Sequence, residues 1–260
     1  MTLYYKYLLM HLRAQLQYKG SFLMLCIGQF FIPFTIFAGL YFMFEKFGKL
    51  QEWSFVEVAL CFAIIHQSFS LSECFARGFD SFSSLIIRGD FDRLLLRPRH
   101  TVLQVFGSAF EFTRIGRLLQ SLIVLIFAII QLPQLWHWQH ILIIMLMIVN
   151  GVCIFVGIFM LAATLCFWTV QGLEVANVFT DGGREMAQYP LNIYEKWVMK
   201  LFTFIIPFGL VSYIPLRIIL DKVEAPLWQA MIIPFGGSLF LIPCYLIWQF
   251  GVKHYRSTGS

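Results

Sequence analysis

The sequence predicts an all-α polytopic membrane protein of six transmembrane helices, preceded by an N-terminal amphipathic interface helix. Three observations predict it. Charged residues make up 13% of the 260 and hydrophobic residues 59%, whereas a soluble domain carries about 25% charge. Six apolar stretches approach or exceed the roughly 20 residues that a spanning helix needs. Lys and Arg concentrate in alternate connections, as in chains that thread a bilayer.

The elements follow in order. In residues 3–19, Leu8, Leu12 and Leu16 recur at helical spacing between Lys6, Arg13 and Lys19, which predicts a helix lying in the membrane interface (residues 1–20). No removable signal peptide is expected, because this stretch is too polar and the apolar run after it is long enough to span. Span one covers about 22–44 and contains Pro33, a potential kink. Span two covers 55–75. A polar stretch, 76–117, is expected as a cytoplasmic loop. Span three covers 118–132, followed by a tight turn with Trp136 and Trp138, residues suited to a membrane–water interface. Span four covers 141–168. A second polar segment, Gln171 to Lys200, is expected on the cytoplasmic side. Span five, 201–220, is interrupted by Pro207 and Pro215. The last span, 227–250, ends in a basic tail.

With both termini and the two long polar segments on one side, that side holds fifteen of the nineteen Lys and Arg residues, and the other holds Lys46, Lys49, Arg217 and Lys222. The positive-inside rule therefore places both termini in the cytoplasm. The net charge of +5 is read as a positive inner face. No nucleic-acid partner is expected, since that would require a basic patch with accessible aromatics.

The most informative stretch is Gly89-Asp90-Phe91-Asp92-Arg93-Leu94-Leu95-Leu96-Arg97-Pro98. It predicts a turn at Gly89, a short helix capped by Asp90 or Asp92, and a stop before Pro98. On residues alone it is either a docking surface or an ordinary loop helix. Gly89, Asp92 and Leu95-Leu96-Arg97-Pro98 resemble the loop between spans two and three of type-2 ABC exporter permeases, in a poorly characterised bacterial branch. The likeness extends over most of the chain, including Tyr189-Pro190-Leu191, Ile206-Pro207 and Tyr213-Ile214-Pro215. The resemblance implies a cytoplasmic coupling helix over Gly89–Pro98 that seats in an ABC ATPase subunit. It implies a second permease subunit, identical or different, and two ATPase copies that bind ATP and Mg. It further implies a bacterial plasma-membrane location, export of a lipophilic or amphipathic substrate, and a re-entrant segment on the outer side, over 207–226. A merely kinked span remains the alternative for that last region.

The chain carries no phosphate-binding loop of its own: the only Gly-Lys pair, Gly48-Lys49, is followed by Leu50. No cofactor, metal site or catalytic residue is expected. His137 and His140 lack further ligands, and no hydrolase or zinc-protease motif is present. The six cysteines are read as small buried apolar residues. Glu73 stands out, because His66, Ser70 and Glu73 share one helix face. Glu73 either pairs with Arg77 one turn on or, with His66, serves a pathway or gate. Arg114 and Arg117 either snorkel to the headgroups or bridge to Glu111. Ser68 and Ser72 are read as helix-packing contacts. The rival function, a secondary transporter or channel, would require ionisable groups in mid-span.

Overall fold

A computed structural model describes residues 2–169 and 172–256; Gln171, where the second polar segment begins, lies outside them. The structure is 83% helical, and no strand occurs among the described residues. Among the described residues five helical runs are long and apolar enough to cross a membrane: Tyr4–Phe47, Phe55–Ile87, Phe112–Gln131, Trp138–Leu165 and Leu227–His254.

The stretch expected as an interface helix leads directly into span one. Helix α1 (Thr2–Gln15) passes through a tight turn at Leu16–Tyr18 into α2 (Lys19–Phe47), and α2 continues through Pro33. Tyr4 and Gln15 fasten α1 to the rest of the chain, donating to the carbonyls of Phe75 and Phe110 at 3.1 and 2.6 Å.

Helix α3 (Phe55–Asp80) starts on a reciprocal cap. The Ser54 hydroxyl accepts from the Glu57 backbone and the Glu57 carboxylate accepts from that of Ser54, so two otherwise orphaned donors are satisfied. The helix bends at Ala76 and is followed by three short helices, α4 (Phe82–Ile87), α5 (Asp90–Leu95) and α6 (Thr101–Phe106). Helices α7 (Ile115–Gln131) and α8 (Trp138–Leu165) pack on α3 from either side. Gly116 lets α7 approach α2: a Cβ there would collide with the Cys26 carbonyl. Small residues at such crossings substitute for the hydrophobic drive that lipid removes. The Ser68 hydroxyl donates to the Ile148 carbonyl of α8 at 3.1 Å, as expected of helix-packing serines, whereas Ser72 bonds only within its own helix.

The second polar segment departs from expectation. Helix α9 (Gly172–Ala187) is not a loop but a helix that packs on α3 and runs antiparallel to it. Arg184 lies over Phe69, Gln188 bonds His66, and Asn192 accepts from the Trp53 indole at 3.0 Å. The chain thus reaches the Phe55 end of the bundle before the stretch expected as span five begins.

That stretch is not a crossing. Lys196–Ile205, containing α10 (Lys196–Lys200), and Gly209–Ile219, containing α11 (Ile214–Ile219), are bent against each other by 89°. Both flanks return to the same corner: Asn192 lies beside Gln51 and Trp53, and the Lys222 ammonium bonds the Glu52 carbonyl at 2.8 Å and Glu57 at 3.0 Å. The pair therefore turns back within the bundle, and the turn-back begins earlier than the region expected over 207–226. The break falls at Pro207, which holds Ile206 in an extended conformation (φ −114°, ψ 97°). Pro215 breaks nothing, because it occupies the first turn of α11, where a missing N–H is tolerated. The tip, Phe208, packs on Phe155 in the middle of α8. Helices α12 (Leu227–Ile232) and α13 (Gly236–His254) then run back to the Asp80 end, where Trp248 meets Phe79.

Among the described residues the chain thus runs six times along the bundle, as α2, α3, α7, α8, α9 and α12–α13, and all of these but α9 belong to runs long and apolar enough to cross a membrane. Moving Lys196 and Lys200 to the Phe55 end leaves twelve Lys and Arg residues at the Asp80 end against six, with Arg184 inside the bundle. The charge bias keeps its sign. Replacing Gly116 with Val forces α2 and α7 apart and should cost about 1–3 kcal/mol. Gly20→Ala, whose added Cβ meets nothing, should cost nothing. Thermal unfolding of the detergent-purified variants checks the contrast.

Candidate functional site

The stretch Gly89–Pro98 is one short helix between two turns. Gly89 adopts a left-handed conformation (φ 68°) at the junction of α4 and α5, which glycine does at least cost. Neither Asp90 nor Asp92 caps the helix, contrary to expectation. Gly89 holds the cap position without a side-chain bond, and both carboxylates sit in the first turn. There they face the positive end of the helix dipole. The far end is tied down by Gln104, whose amide donates to the carbonyls of Leu94 and Arg99 at 3.1 and 3.0 Å.

Helix α5 has two unlike faces. Phe91 is fully buried, meeting Phe82 edge-on at 4.9 Å and Tyr255 at 5.1 Å. Trp248 of α13, also fully buried, contacts Phe79, Phe82 and Phe167 at 5.0–5.2 Å. The short helix is thus seated on the ends of α3, α8 and α13 by aromatic contacts. Burial, reinforced by the charge of Asp92, pushes the Tyr255 phenol up to about 12. At the C-terminal end of α5 Leu95 is exposed, and Leu96, just past it, is 86% exposed; Ile87, Arg88, Arg93, Arg97 and Arg99 of the same stretch are exposed as well. Leu94, by contrast, packs against the chain's own core. Arg93 pairs with Asp90 at 3.6 Å in an exposed setting, a contact worth about 0–1 kcal/mol.

Glu73 is the hub of a second constellation. Its carboxylate is 3% exposed and lies 3.1 Å from Arg77, 3.4 Å from Arg114 and 2.8 Å from Arg117. The pairing with Arg77 is the expected one; the two others join α3 to the start of α7. Arg114 and Arg117 therefore turn inward instead of snorkelling, although Arg114 also bridges Glu111 at 3.1 Å. Arg77 extends the network to Asp80 and Glu111 at 2.6 and 3.1 Å. Asp181 of α9 joins Glu73, Arg77, Asp80, Arg114 and Arg117 around a cavity of about 220 Å³, and Arg184 holds Asp181 and Glu185 at 3.2 and 2.6 Å.

His66 does not contact Glu73 through any bond that the described residues make. It stacks on Phe62 at 3.9 Å and shares a 2.9 Å hydrogen bond with the Gln188 amide oxygen. His66 thus ties α3 to the residue after α9, whereas Glu73 ties it to the start of α7. Asp181, Arg184 and Gln188 were not legible as neighbours of α3 because their segment reads as too polar to cross. The alternation of these polar residues with Val178, Phe179 and Ala187 was the available signal. The cysteines are buried or half-buried and form no disulfide among the described residues, and no group of metal ligands occurs there.

Removing one partner from a buried charge set leaves the others uncompensated, at about 3–5 kcal/mol. Glu73→Gln should therefore lower the unfolding temperature far more than Arg93→Gln, whose side chain is 77% exposed. Equal thermal shifts for the two variants would show that the Glu73 network is structurally idle.

Comparison with curated proteins and with solved structures returns no match. The model of one family, described as ABC-2 family transporter protein, matches residues 30–259. The chain belongs to the ABC-2 family of transporter proteins and is a multi-pass transmembrane permease.

Proposed function

We propose that the chain is the membrane-spanning permease subunit of an ATP-driven exporter of lipophilic or amphipathic substrates, coupled to separate ATPase subunits through Gly89–Pro98. The carrying observation is the division of α5 into an inward anchor and an outward face. Phe91 is fully buried while Leu96 is 86% exposed, and Arg88, Arg93, Arg97 and Arg99 of the same stretch are exposed too. Apolar anchors inside a polar rim are what a protein interface uses for affinity. A push on such a helix would reach α3, α8 and α13 through the Phe91–Trp248 contacts.

Energy must come from elsewhere, since the chain lacks a phosphate-binding loop. Two ATPase copies carrying ATP and Mg, with a second permease subunit, like or unlike, would complete the transporter. The charge bias supports a cytoplasmic Asp80 end, with both termini inside a bacterial plasma membrane and α1 along its inner interface. The re-entrant pair then lies on the outer side. The ion-coupled alternative gains carboxylates at membrane depth, Glu73 and Glu185, but each is engaged by arginine, which disfavours a proton-carrying role.

Reporter fusions after Lys49 and after Trp136 should appear outside, and one after Arg97 inside; an external Arg97 would overturn this topology. Leu96→Asp and Leu95→Asp place a charge in the docking face and should weaken ATPase binding by about 2 kcal/mol each, roughly 30-fold in Kd. Asp92→Ala should do less. Co-purification of the ATPase with normally inserted variants is the measurement. Full ATPase retention by both Leu variants would move the coupling surface elsewhere.

A further inference from the structure

A groove of about 320 Å³ runs between α2, α3 and α7, away from the Glu73 network and from α5. Six aromatic residues wall it: Phe30, Phe34, Phe37, Tyr41, Phe55 and Phe127. Phe34 and Ile123 at its sides are 46% and 56% exposed, so it opens laterally, towards the bilayer of a membrane protein. One polar side chain of α7, Gln120, also lines it. Gln120 is 2% exposed, and neither its amide nitrogen nor its amide oxygen has a hydrogen-bond partner among the described residues.

Buried amides are nearly always bonded, and one that is not calls for an outside group. In hydrocarbon the demand is sharper, because bulk water is not at hand. The amide needs both an acceptor for its N–H and a donor for its carbonyl, and a hydroxyl supplies both. No charged residue lines the groove, so an ionised head would be buried unpaired, at high cost. The volume lies at the low end of the ~300–1,000 Å³ typical of ligand pockets. That accommodates one hydrocarbon chain, not a two-chain phospholipid. Along α2 the aromatic wall from Phe30 to Tyr41 is roughly 16 Å long at about 1.5 Å per residue, an elongated shape.

We propose that this groove is a lateral binding site for a single-chain neutral lipid bearing a hydroxyl, with the chain against the aromatic wall and the hydroxyl on the Gln120 amide. The site is independent of the ATPase docking proposed above, and the chain alone suffices to test it. Two photoreactive probes, a long-chain alkan-1-ol and the matching alkane, are offered to the purified full chain in nanodiscs, and labelled peptides are mapped. The alcohol should label groove-facing peptides of α2 and α7 roughly fivefold more than the alkane. Gln120→Leu should reduce the alcohol to the alkane's level. Ile123→Trp, which fills the groove from its open side, should suppress both probes. Thermal unfolding supplies a second reading: Gln120→Leu should raise Tm without alcohol, since it removes an unbonded buried amide, and should abolish the rise that alcohol gives the native chain. Equal labelling of the native chain by both probes would overturn the proposal and assign the groove to lipid tails, with a water on the amide. An alcohol preference that survives Gln120→Leu would overturn it as well.

Discussion

A carboxylate that is 3% exposed and faced by three guanidinium groups sets the terms for one end of this bundle. Glu73 cannot stay charged there alone, because moving an ion out of water costs several kcal/mol even after relaxation. Its partners must come from different elements, since one helix face offers only Arg77. Arg114 and Arg117 are therefore drawn inward, which fixes where α7 begins. Arg114 also reaches Gln29 of α2 at 2.6 Å, so the long N-terminal helix is tied to the same point. The short helices between Asp80 and Phe112 hang from this frame.

The opposite end is closed by a smaller clasp with the same logic. Lys222 binds the Glu57 carboxylate and lies over the Trp53 ring at 4.8 Å, a favourable cation–π geometry. Trp53, fully buried, donates to Asn192. Both flanks of the bent pair thus end on one corner, next to the capped start of α3. Backbone that leaves the helical ladder at membrane depth has to be enclosed by protein or water, and Phe155 and Phe202 enclose Phe208 at the tip. The fold is held at its two ends by charge and in its middle by close helix crossings such as Gly116 on Cys26.

Between these ends, α5 is the element whose chemistry changes from face to face. Its inner contacts are aromatic and specific, and its outer surface is apolar with a basic rim. This two-sidedness explains why Gly89–Pro98 reads as a motif in a sequence otherwise dominated by apolar runs. One side chain, Phe91, commits the helix to its own subunit, while Leu95 and Leu96 remain uncommitted within it.

The sequence by itself determined the membrane class, the helical content, five of the long apolar helices to within a few residues and the short helix after Gly89, and it offered the Glu73–Arg77 pair as one of two readings of Glu73. Each depends on composition or on spacing within one helix, which the chain states directly. The Ser54–Glu57 cap was equally local, as a Ser followed three residues later by Glu before an apolar run. Tertiary structure decided what depends on partners far apart in the chain. Helix α9 packs along α3 despite Asp181, Arg184 and Glu185 because Arg184 neutralises the two carboxylates and His66 of α3 takes up Gln188. Residues 201–220 turn back despite their apolarity because Pro207 breaks the helix and the Asn192 and Lys222 contacts hold both flanks at one end. Hydropathy measures the cost of exposing a segment to lipid, and neither a buried polar crossing nor an apolar turn-back is priced by that cost alone.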